Sequence, residues 1–436
     1  MRKIVTALSA ALLFGVSANA ADTLEEAFSQ GKTSGQIRLF YITRDRSGTI
    51  GDTQTDRSAF AGGGHLKFET APLNGLSFGV AYYSTGSLGL DSDTKDKVNP
   101  SLYGEDKRGY AVLGEAYLKY QVDNTVITYG RQKLNTPLAG TDDARMLPNL
   151  FEAAVMSNSD LEKTTLILAH VTKFQAGTFS NQYGGGALGV SAGYSLVNSE
   201  SGRFMDMGKY AIGKDTDGVT VGAVIYKGID NMTLQLWDYY AHDILNAVYA
   251  QADLKWHCLL SDTVKPFAAA QLISESDVGD KYVGKVDSTY YALKVGAKYG
   301  AFSAYAAYSQ TDSDTAAATN GGVITPWGGM PAFTQGMVTR HMFFADTSAW
   351  KVAGSYNFKK SGIPLNTALY YTEFDVGADN AVKNGVAWTA KEFGFDMKYY
   401  PEAVKNLQVR LRGNFPTDFV KGLDWSEYRV ILNYNF

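Results

Sequence analysis

Five basic side chains occupy apolar stretches of this chain. Arg410 and Arg412 are separated by one residue, and Arg38, Lys67 and Arg429 each lie directly between two apolar residues. An arginine can hold a carboxylate or a phosphate through two parallel hydrogen bonds, and a lysine adds a point charge. If these five side chains shared one wall, that wall would attract anions.

The basic residues also have a structural interpretation. Glu69 and Glu427 stand two positions from Lys67 and Arg429, so in an extended chain they point to the same side. Ion pairs within the wall would then account for the basic residues without any ligand. Pairing and attraction of anions are compatible in a water-filled space, and the sequence leaves both interpretations open.

A second group of charged residues lies in residues 132–148, which have no strand pattern. This segment holds two prolines, the acidic pair Asp142 and Asp143, and Arg145. Acidic and basic groups that face each other create a transverse field across a narrow opening, as in charged constrictions of channels. We expect a constriction loop at this position, and the alternative is an ordinary solvated loop.

β-Strands are the elements that must position the basic residues. Residues 425–436 alternate between apolar and polar side chains, and only Ile431 interrupts the polar side. A period of two with one apolar face indicates a half-buried strand. Aromatic residues, including Phe436, close the apolar face near its ends, as they do in a strand that faces lipid.

Eighteen segments have this alternation or a β-rich composition between turn residues. Gaps between them alternate between short and long, with one exception near Asp243. This rhythm predicts an all-β fold, a transmembrane antiparallel β-barrel of about 18 strands with short periplasmic turns and long extracellular loops. The predicted strands are 34–43, 62–70, 75–85, 110–122, 124–131, 149–159, 163–173, 217–228, 231–242, 244–257, 263–275, 287–300, 301–311, 350–358, 364–375, 390–400, 406–415 and 425–436.

The N-terminus has the pattern of an export signal. Residues 1–20 combine a basic start, a short apolar run and the small-residue site Ala18-Asn19-Ala20, which predicts a secretory signal peptide. We therefore expect residues 21–436 to form the barrel, with residues 21–33 as a candidate periplasmic N-terminal segment.

Composition narrows the classes of function. A net charge of −4 argues against a nucleic-acid partner, which would require a basic surface. Cys258 is the single cysteine and cannot form an intrachain disulfide. The five histidines show no metal-ligand spacing, so we expect neither a metal site nor a cofactor.

Two stretches resemble the OprD-like family of bacterial outer-membrane porins. They are residues 35–45, beginning Gly35-Gln36-Ile37-Arg38, and residues 129–149, from Tyr129-Gly130-Arg131-Gln132 through Thr136-Pro137 to Asp143-Ala144-Arg145-Met146-Leu147-Pro148-Asn149. The resemblance implies an eighteen-stranded, narrow barrel whose third and seventh outer loops narrow the pore. It also implies a ladder of basic lumen residues for small, often carboxylate-bearing nutrients. By position, the ladder corresponds to Arg38, Arg410, Arg412 and Arg429, and the loop motif to Asp142, Asp143 and Arg145.

These observations favour a porin of the cell outer membrane and not an enzyme. We expect passive diffusion of small hydrophilic solutes, with a preference for anionic or carboxylate-bearing nutrients. Expected partners are these solutes, outer-membrane lipid, the barrel-insertion machinery through Phe436, and further copies of the chain in a homotrimer. A general non-specific porin, an outer-membrane enzyme and an adhesive surface barrel remain as alternatives.

Overall fold

Residues 20–51, 56–92, 94–104, 107–179, 186–197, 200–258, 261 and 263–436 are described by the computed structural model. Apart from Ala20, the predicted signal peptide lies outside these residues. Eighteen long strands form one closed antiparallel sheet, as the sequence predicts. In the part of the chain described, no helix is both long enough and apolar enough to span a bilayer.

All eighteen predicted strands are present, and the largest shift is at the start of β2, which begins at Arg57 rather than at residue 62. A further two-residue strand, β8, pairs with β7 inside a loop. The strands are β1 (Lys32–Ser47), β2 (Arg57–Glu69), β3 (Leu76–Ser87), β4 (Tyr110–Val122), β5 (Thr125–Gln132), β6 (Leu150–Asn158), β7 (Thr164–Gln175), β8 (Met205–Asp206), β9 (Val219–Tyr226), β10 (Met232–Ala241), β11 (Leu245–Lys255), β12 (Val264–Asp277), β13 (Asp287–Tyr299), β14 (Phe302–Thr311), β15 (Thr347–Asn357), β16 (Leu365–Val376), β17 (Trp388–Tyr399), β18 (Leu407–Thr417) and β19 (Asp424–Asn435). The short helices are α1 (Leu24–Ser29), α2 (Gly48–Gly51), α3 (Gly186–Val190) and α4 (Met207–Ile212).

The first and last barrel strands close the sheet. β1 pairs antiparallel with β19 from Gln36 opposite Asn435 to Ser47 opposite Asp424. Closure leaves no strand edge with unpaired backbone groups, which hydrocarbon would not hydrate. It also places inward side chains of β1, β2, β18 and β19 on neighbouring strands, as expected for the predicted basic wall.

One end of the barrel has tight turns. Asn74 (φ 50°) and Gly75 (φ 81°) turn the chain between β2 and β3. Asp123 and Asn231 adopt the same left-handed conformation at two further turns of this end. Asparagine and aspartate tolerate this conformation better than other residues with a side chain, which explains their positions.

The other end carries loops that fold into the barrel, and most of them are long. We name them loop 2 (residues 88–109), loop 3 (133–149), loop 4 (176–218), loop 7 (312–346) and loop 9 (418–423). Many of their side chains are buried, although solvated loops would expose them. The loops therefore supply part of the interior of the molecule.

The outer surface is apolar. Leu293 at the centre of β13 is 62% exposed, and Leu236 and Leu369 point outward in the same way. Exposed tyrosines lie nearer both ends, such as Tyr240 towards the long loops and Tyr299 towards the short turns. An apolar band between two aromatic belts is the lipid-facing surface of a membrane barrel.

The apolar core lies inside the long-loop half of the barrel. Leu138 of loop 3, Tyr210 of loop 4, and Trp327 and Phe343 of loop 7 are almost fully buried in one cluster with inward wall residues. Removing this apolar surface from water stabilises the inserted loops. The cluster also contains the wall residues Phe151, Phe174, Trp237, Tyr239, Tyr249, Ile273, Tyr290 and Phe374.

A second cluster explains the exception in the last strand. Ile431 is buried together with Met146 and Leu147 of loop 3 and with Phe40 of β1. Ile431 is apolar although it lies on the inward side of β19, because loop 3 packs against it and removes it from water.

We predict that Leu293→Arg weakens the folded barrel. The substitution places a guanidinium at the middle of the lipid-facing surface, where a charge costs about 2–4 kcal/mol. Reversible urea unfolding of the protein in lipid vesicles should show a loss of this size in the free energy of unfolding. Lys294→Arg, which puts the same residue on the inward side of the same strand, should cause little change. Equal losses in the two variants would contradict the assignment of the two faces.

Candidate functional site

Asp142 joins loop 3 to loop 7. Its two carboxylate oxygens accept hydrogen bonds from Arg340, at 2.8 Å from Nη1 and 3.0 Å from Nη2. Arg340 Nη1 also donates to the hydroxyl of Tyr194 in loop 4, at 2.9 Å. Three loops thus meet at one guanidinium, and the two-pronged geometry fixes their relative position.

Asp143 joins loop 3 to the wall through Arg38 of β1. Nη1 and Nη2 of Arg38 donate to the two oxygens of Asp143, at 2.7 and 3.1 Å. Arg38 also donates to Asn433 Oδ1 at 2.8 Å and to the carbonyl oxygen of Arg145. Removal from water would raise the pKa of Asp143, but the Arg38 guanidinium holds it below its ordinary value. The Asp143 side chain is 45% exposed, whereas the Arg38 side chain is 8% exposed.

Arg145 does not line the opening, in contrast to our prediction for a constriction residue. Its side chain is fully buried, with Nε 3.1 Å from Ser101 Oγ of loop 2 and Nη2 3.2 Å from Glu427 Oε1 of β19. Its guanidinium also lies 4.5 Å from the ring centre of Phe179. Arg145 therefore attaches loop 3 to the wall, and the charged groups of this loop contact their partners directly instead of facing them across a gap.

Glu427 is the centre of a buried charge cluster at the seam between β1 and β19. Arg44 Nε and Nη2 donate to Glu427 Oε2 at 2.8 and 2.6 Å, and Arg429 Nε donates to Oε1 at 2.7 Å. Arg429 Nη2 also donates to Asn414 Oδ1 at 2.7 Å. Arg429 has no accessible surface, so it does not offer its charge to the interior space, in contrast to our prediction of a pore-lining residue.

Loop 7 is held by carboxylates of the wall. Glu392 of β17 accepts hydrogen bonds from the backbone N–H groups of Met337 and Thr339, both at 2.6 Å, and from the hydroxyl of Tyr370. Glu275 of β12 accepts from the N–H of Ile324 at 2.8 Å. A loop inside a barrel must find partners for its peptide groups, and these two buried acids provide them.

A family comparison identifies the architecture. The family model for the outer membrane porin, OprD family, matches residues 26–436. The chain belongs to this family. It therefore lies in the cell outer membrane, with the short turns at the periplasmic end and the long loops at the extracellular end.

Several solved structures of proteins from Pseudomonas aeruginosa have the same fold. OccK9 (OpdG) shares 20% identity with a TM-score of 0.76, and the match covers 94% of this chain and 99% of that chain. OpdK, solved with vanillate, shares 17% identity with a TM-score of 0.74, covering 93% and 98%. OccK8 (OprE) shares 18% identity with a TM-score of 0.70, covering 94% and 99%. No curated protein matches the chain.

Lys67 of the predicted basic wall is paired with acids of the porin lumen. Its Nζ lies 2.7 Å from Glu115 Oε2 and 4.0 Å from Glu69. Tyr83 also donates to Glu115, at 2.5 Å. Lys67 and Arg429 therefore form ion pairs within the wall, which is the structural interpretation of these basic residues, because each contacts a carboxylate.

Arg410 and Arg412 stand near the periplasmic end and share one carboxylate with Lys398. Arg410 Nε and Asp396 Oδ1 are 2.8 Å apart. Arg412 Nε and Lys398 Nζ lie 3.8 and 3.9 Å from Asp396 Oδ2. Three cations thus surround one anion. We call these four residues the Asp396 cluster.

Sequence reasoning missed Arg340, Glu275 and the role of Glu392. Arg340 lies in a glycine-rich and threonine-rich loop whose sequence shows no recognisable motif. Glu275 and Glu392 are inward acids near the extracellular ends of their strands. This position is the one feature of the sequence that could indicate contact with an inserted loop. Their partners are backbone N–H groups, which leave no trace in the sequence.

Loop 7 also contains a buried histidine. His341 is 1% exposed, and its Nε2 lies 2.5 Å from the carbonyl oxygen of Phe419 in loop 9. Its ring stacks on Phe344 with 4.4 Å between centres. Burial lowers the pKa of His341 to about 4. Nδ1 has no partner among the described residues, so a proton there would be buried without an acceptor.

We predict that Glu392→Gln loosens loop 7. The amide group would turn one oxygen acceptor into a donor that faces backbone N–H groups, at a cost of about 1–3 kcal/mol for the unsatisfied groups. Single-channel recordings should show larger and noisier current steps than those of the unsubstituted porin.

Glu373→Gln is the matched control for this prediction. Glu373 contacts Tyr371 and Lys391 on the outer side of the neighbouring strand. Its substitution should leave the current steps unchanged. Identical traces for both variants would show that Glu392 does not hold the loop.

We predict that acid loosens the same loop through His341. The unfolded chain binds the proton below the ordinary pKa of 6.5, whereas the docked loop resists it until about 4. Docking is therefore fully stabilised above 6.5 and loses stability as the pH falls towards 4. Current steps should grow over this interval, and His341→Phe, which keeps the stacking but cannot titrate, should reduce that growth. An unaltered pH profile in this variant would exclude His341 as the cause.

Proposed function

We propose that this porin lets small hydrophilic solutes diffuse passively and favours anions, in particular carboxylate-bearing nutrients. The Asp396 cluster is the observation that carries the proposal. Asp396 balances one of the three positive charges on Lys398, Arg410 and Arg412, which leaves two in excess at this level of the lumen.

Arg410 and Arg412 are the candidates to meet a solute anion, because their side chains are 22% and 15% exposed. The Nε atom of Arg412 is buried and, among the described residues, has no hydrogen-bond partner, because the 3.8 Å distance to Asp396 is too long for one. A planar guanidinium suits a two-pronged contact with a carboxylate. Arg410 donates to Asp396 through Nε and Nη2, and the exposed parts of the two arginine side chains would make the contact with a solute.

The proposal uses only part of the predicted basic wall. Arg38, Lys67 and Arg429 each contact a carboxylate, and Arg429 is fully buried. Arg429 shares Glu427 with Arg44 and Arg145, but these three guanidinium groups are buried and do not offer their charge to a solute. We therefore assign the anion preference to the Asp396 cluster and treat the other three as residues that support the wall and loop 3.

The inserted loops support selective passage over that of a general porin. Asp142 and Arg340 connect loop 3 with loop 7, and Glu392 fixes loop 7 to β17. Loops joined in this way leave a narrow route, in which a solute passes close to charged side chains. OpdK, a structural neighbour, was solved with vanillate, which carries a carboxylate.

Two further parts of the proposal concern assembly. The ring of Phe436 is exposed at the periplasmic end, while its backbone N–H donates to Gly35 O at 3.1 Å. We propose that the insertion machinery recognises this terminal strand. We also retain a homotrimer as the expected assembly, to be tested by native mass spectrometry.

We predict that Arg410→Ala together with Arg412→Ala reduces anion preference. The double variant removes two positive charges from the Asp396 cluster, so the remaining Asp396 and Lys398 roughly cancel. The reversal potential in a salt gradient should shift towards the cation side, and uptake of carboxylate solutes into vesicles should fall.

Lys281→Ala together with Lys285→Ala is the control. It removes the same charge from exposed extracellular positions, where Lys281 pairs with Asp277 and Lys285 with Asp314. Screening by salt should keep its effect on the reversal potential small. Equal shifts in the two double variants would exclude the Asp396 cluster as the selective element.

A further inference from the structure

Two histidines meet on the outer wall of the barrel, far from the Asp396 cluster. His170 belongs to β7, His242 directly follows β10, and Thr220 of β9 lies between them. His170 stands opposite Thr220 in the β7–β9 register, and Thr220 stands opposite Tyr240 in the β9–β10 register. The three strands thus bring the two imidazoles onto one outward patch.

The ring nitrogens converge on a single atom. His170 Nδ1 lies 3.1 Å and His242 Nε2 3.0 Å from Thr220 Oγ1. The ring centres are 6.0 Å apart, and the ring planes are inclined by 78°. Two imidazole nitrogens that point at one position from different strands form a preorganised pair of ligands.

The patch is accessible from water. Leu168, two residues before His170, and Leu236 mark the lipid-facing surface below it. Tyr240 belongs to the extracellular aromatic belt, and its ring centre is 4.9 Å from that of His242. His242 lies two residues beyond this tyrosine towards the extracellular end, so ions from the medium can reach it.

We propose that His170 and His242 bind a divalent transition-metal ion of the Zn²⁺ or Cu²⁺ type. Neutral imidazole is a preferred ligand of both ions, and the bonds are about 2.0–2.1 Å long for zinc. Two imidazoles around a tetrahedral ion have ring centres about 5 Å apart, so small ring rotations from the observed 6.0 Å suffice.

Thr220 and water complete the site. The Thr220 hydroxyl holds both rings in place and stands where it can serve as a third, weak ligand. Within the described residues, no group of three or more His, Cys, Asp or Glu side chains is positioned to hold a metal ion. The site therefore has two strong protein ligands, which is typical of exchangeable binding rather than of a closed structural site.

No motif in the sequence indicates this pair. His170 and Thr220 are 50 residues apart, and Thr220 and His242 are 22 apart. Spacing rules for metal sites recognise ligands on one helix or one loop, whereas these ligands meet only through strand pairing. The earlier expectation of no metal site rested on spacing alone.

Zinc titration of untagged porin in detergent micelles tests the proposal. Isothermal titration calorimetry with ZnCl₂ should detect one zinc ion bound per chain. In His170→Ala and in His242→Ala, this binding should disappear or its affinity should fall by about tenfold or more. Cu²⁺ bound to the unsubstituted protein should show a two-nitrogen pattern in electron paramagnetic resonance. The single variants should lose it.

His257→Ala is the matched control, because His257 is an exposed histidine at the opposite end of the barrel. This variant should still bind the zinc ion that the His170 and His242 variants lose. His242→Gln, which preserves a hydrogen-bonding group beside Thr220 but is a poor ligand, serves as a second variant if alanine disturbs folding. Unchanged zinc binding in the folded His170 and His242 variants, or loss of that equivalent in His257→Ala, would overturn the proposal.

Discussion

The interaction on which the inserted loop 3 depends is the contact of the buried Glu427 carboxylate with guanidinium groups. Glu427 stands on the last strand beside the first, and it contacts guanidinium groups of Arg44, Arg145 and Arg429. Removing one partner from a buried ion cluster costs about 3–5 kcal/mol, because the remaining charge is left uncompensated. Glu427 thus connects closure of the barrel with the position of loop 3. Without it, three guanidinium groups would be buried at the seam with no acid between them.

The remaining loop contacts follow from this attachment. Once Arg145 fixes loop 3, Asp143 reaches Arg38 and Asp142 reaches Arg340 of loop 7. Loop 7 in turn places its backbone N–H groups on Glu392. Ion pairs and hydrogen bonds therefore connect the seam between β1 and β19 with loop 3, loop 7 and β17. The apolar core packs around these contacts, so the inserted loops occupy part of the interior of the extracellular half.

The two halves of the barrel differ in how far their charges are exposed. Three guanidinium groups surround Glu427 in the extracellular half, but all of these side chains are buried. The three cations around Asp396 are partly exposed, from 15% for Arg412 to 37% for Lys398. In the proposed function, a solute that passes the inserted loops would meet these partly exposed cations. In the proposed function, the loops restrict size and the Asp396 cluster selects charge.

The sequence predicted those features that depend on local periodicity. Alternation along residues 425–436 and the rhythm of short and long gaps correctly gave eighteen strands, because each strand must place one face against lipid and the other inward. Inward charges such as Arg410 followed from the same parity. Which charges are compensated depends on pairs distant in sequence, such as Arg145 with Glu427, 282 residues apart, and Arg340 with Asp142, 198 apart. A single sequence contains no local signal for such pairs, so the burial of Arg145 and Arg429 was not predictable.

The measurement that tests this account most directly is the reversal potential of the unsubstituted porin in a planar bilayer, recorded at single-channel level under a potassium chloride gradient. The account predicts small, discrete current steps and a reversal potential displaced towards that of chloride, because the passage is narrow and carries excess positive charge. Large steps with a reversal potential displaced towards that of potassium would contradict both the restriction by loops 3 and 7 and the role of the Asp396 cluster.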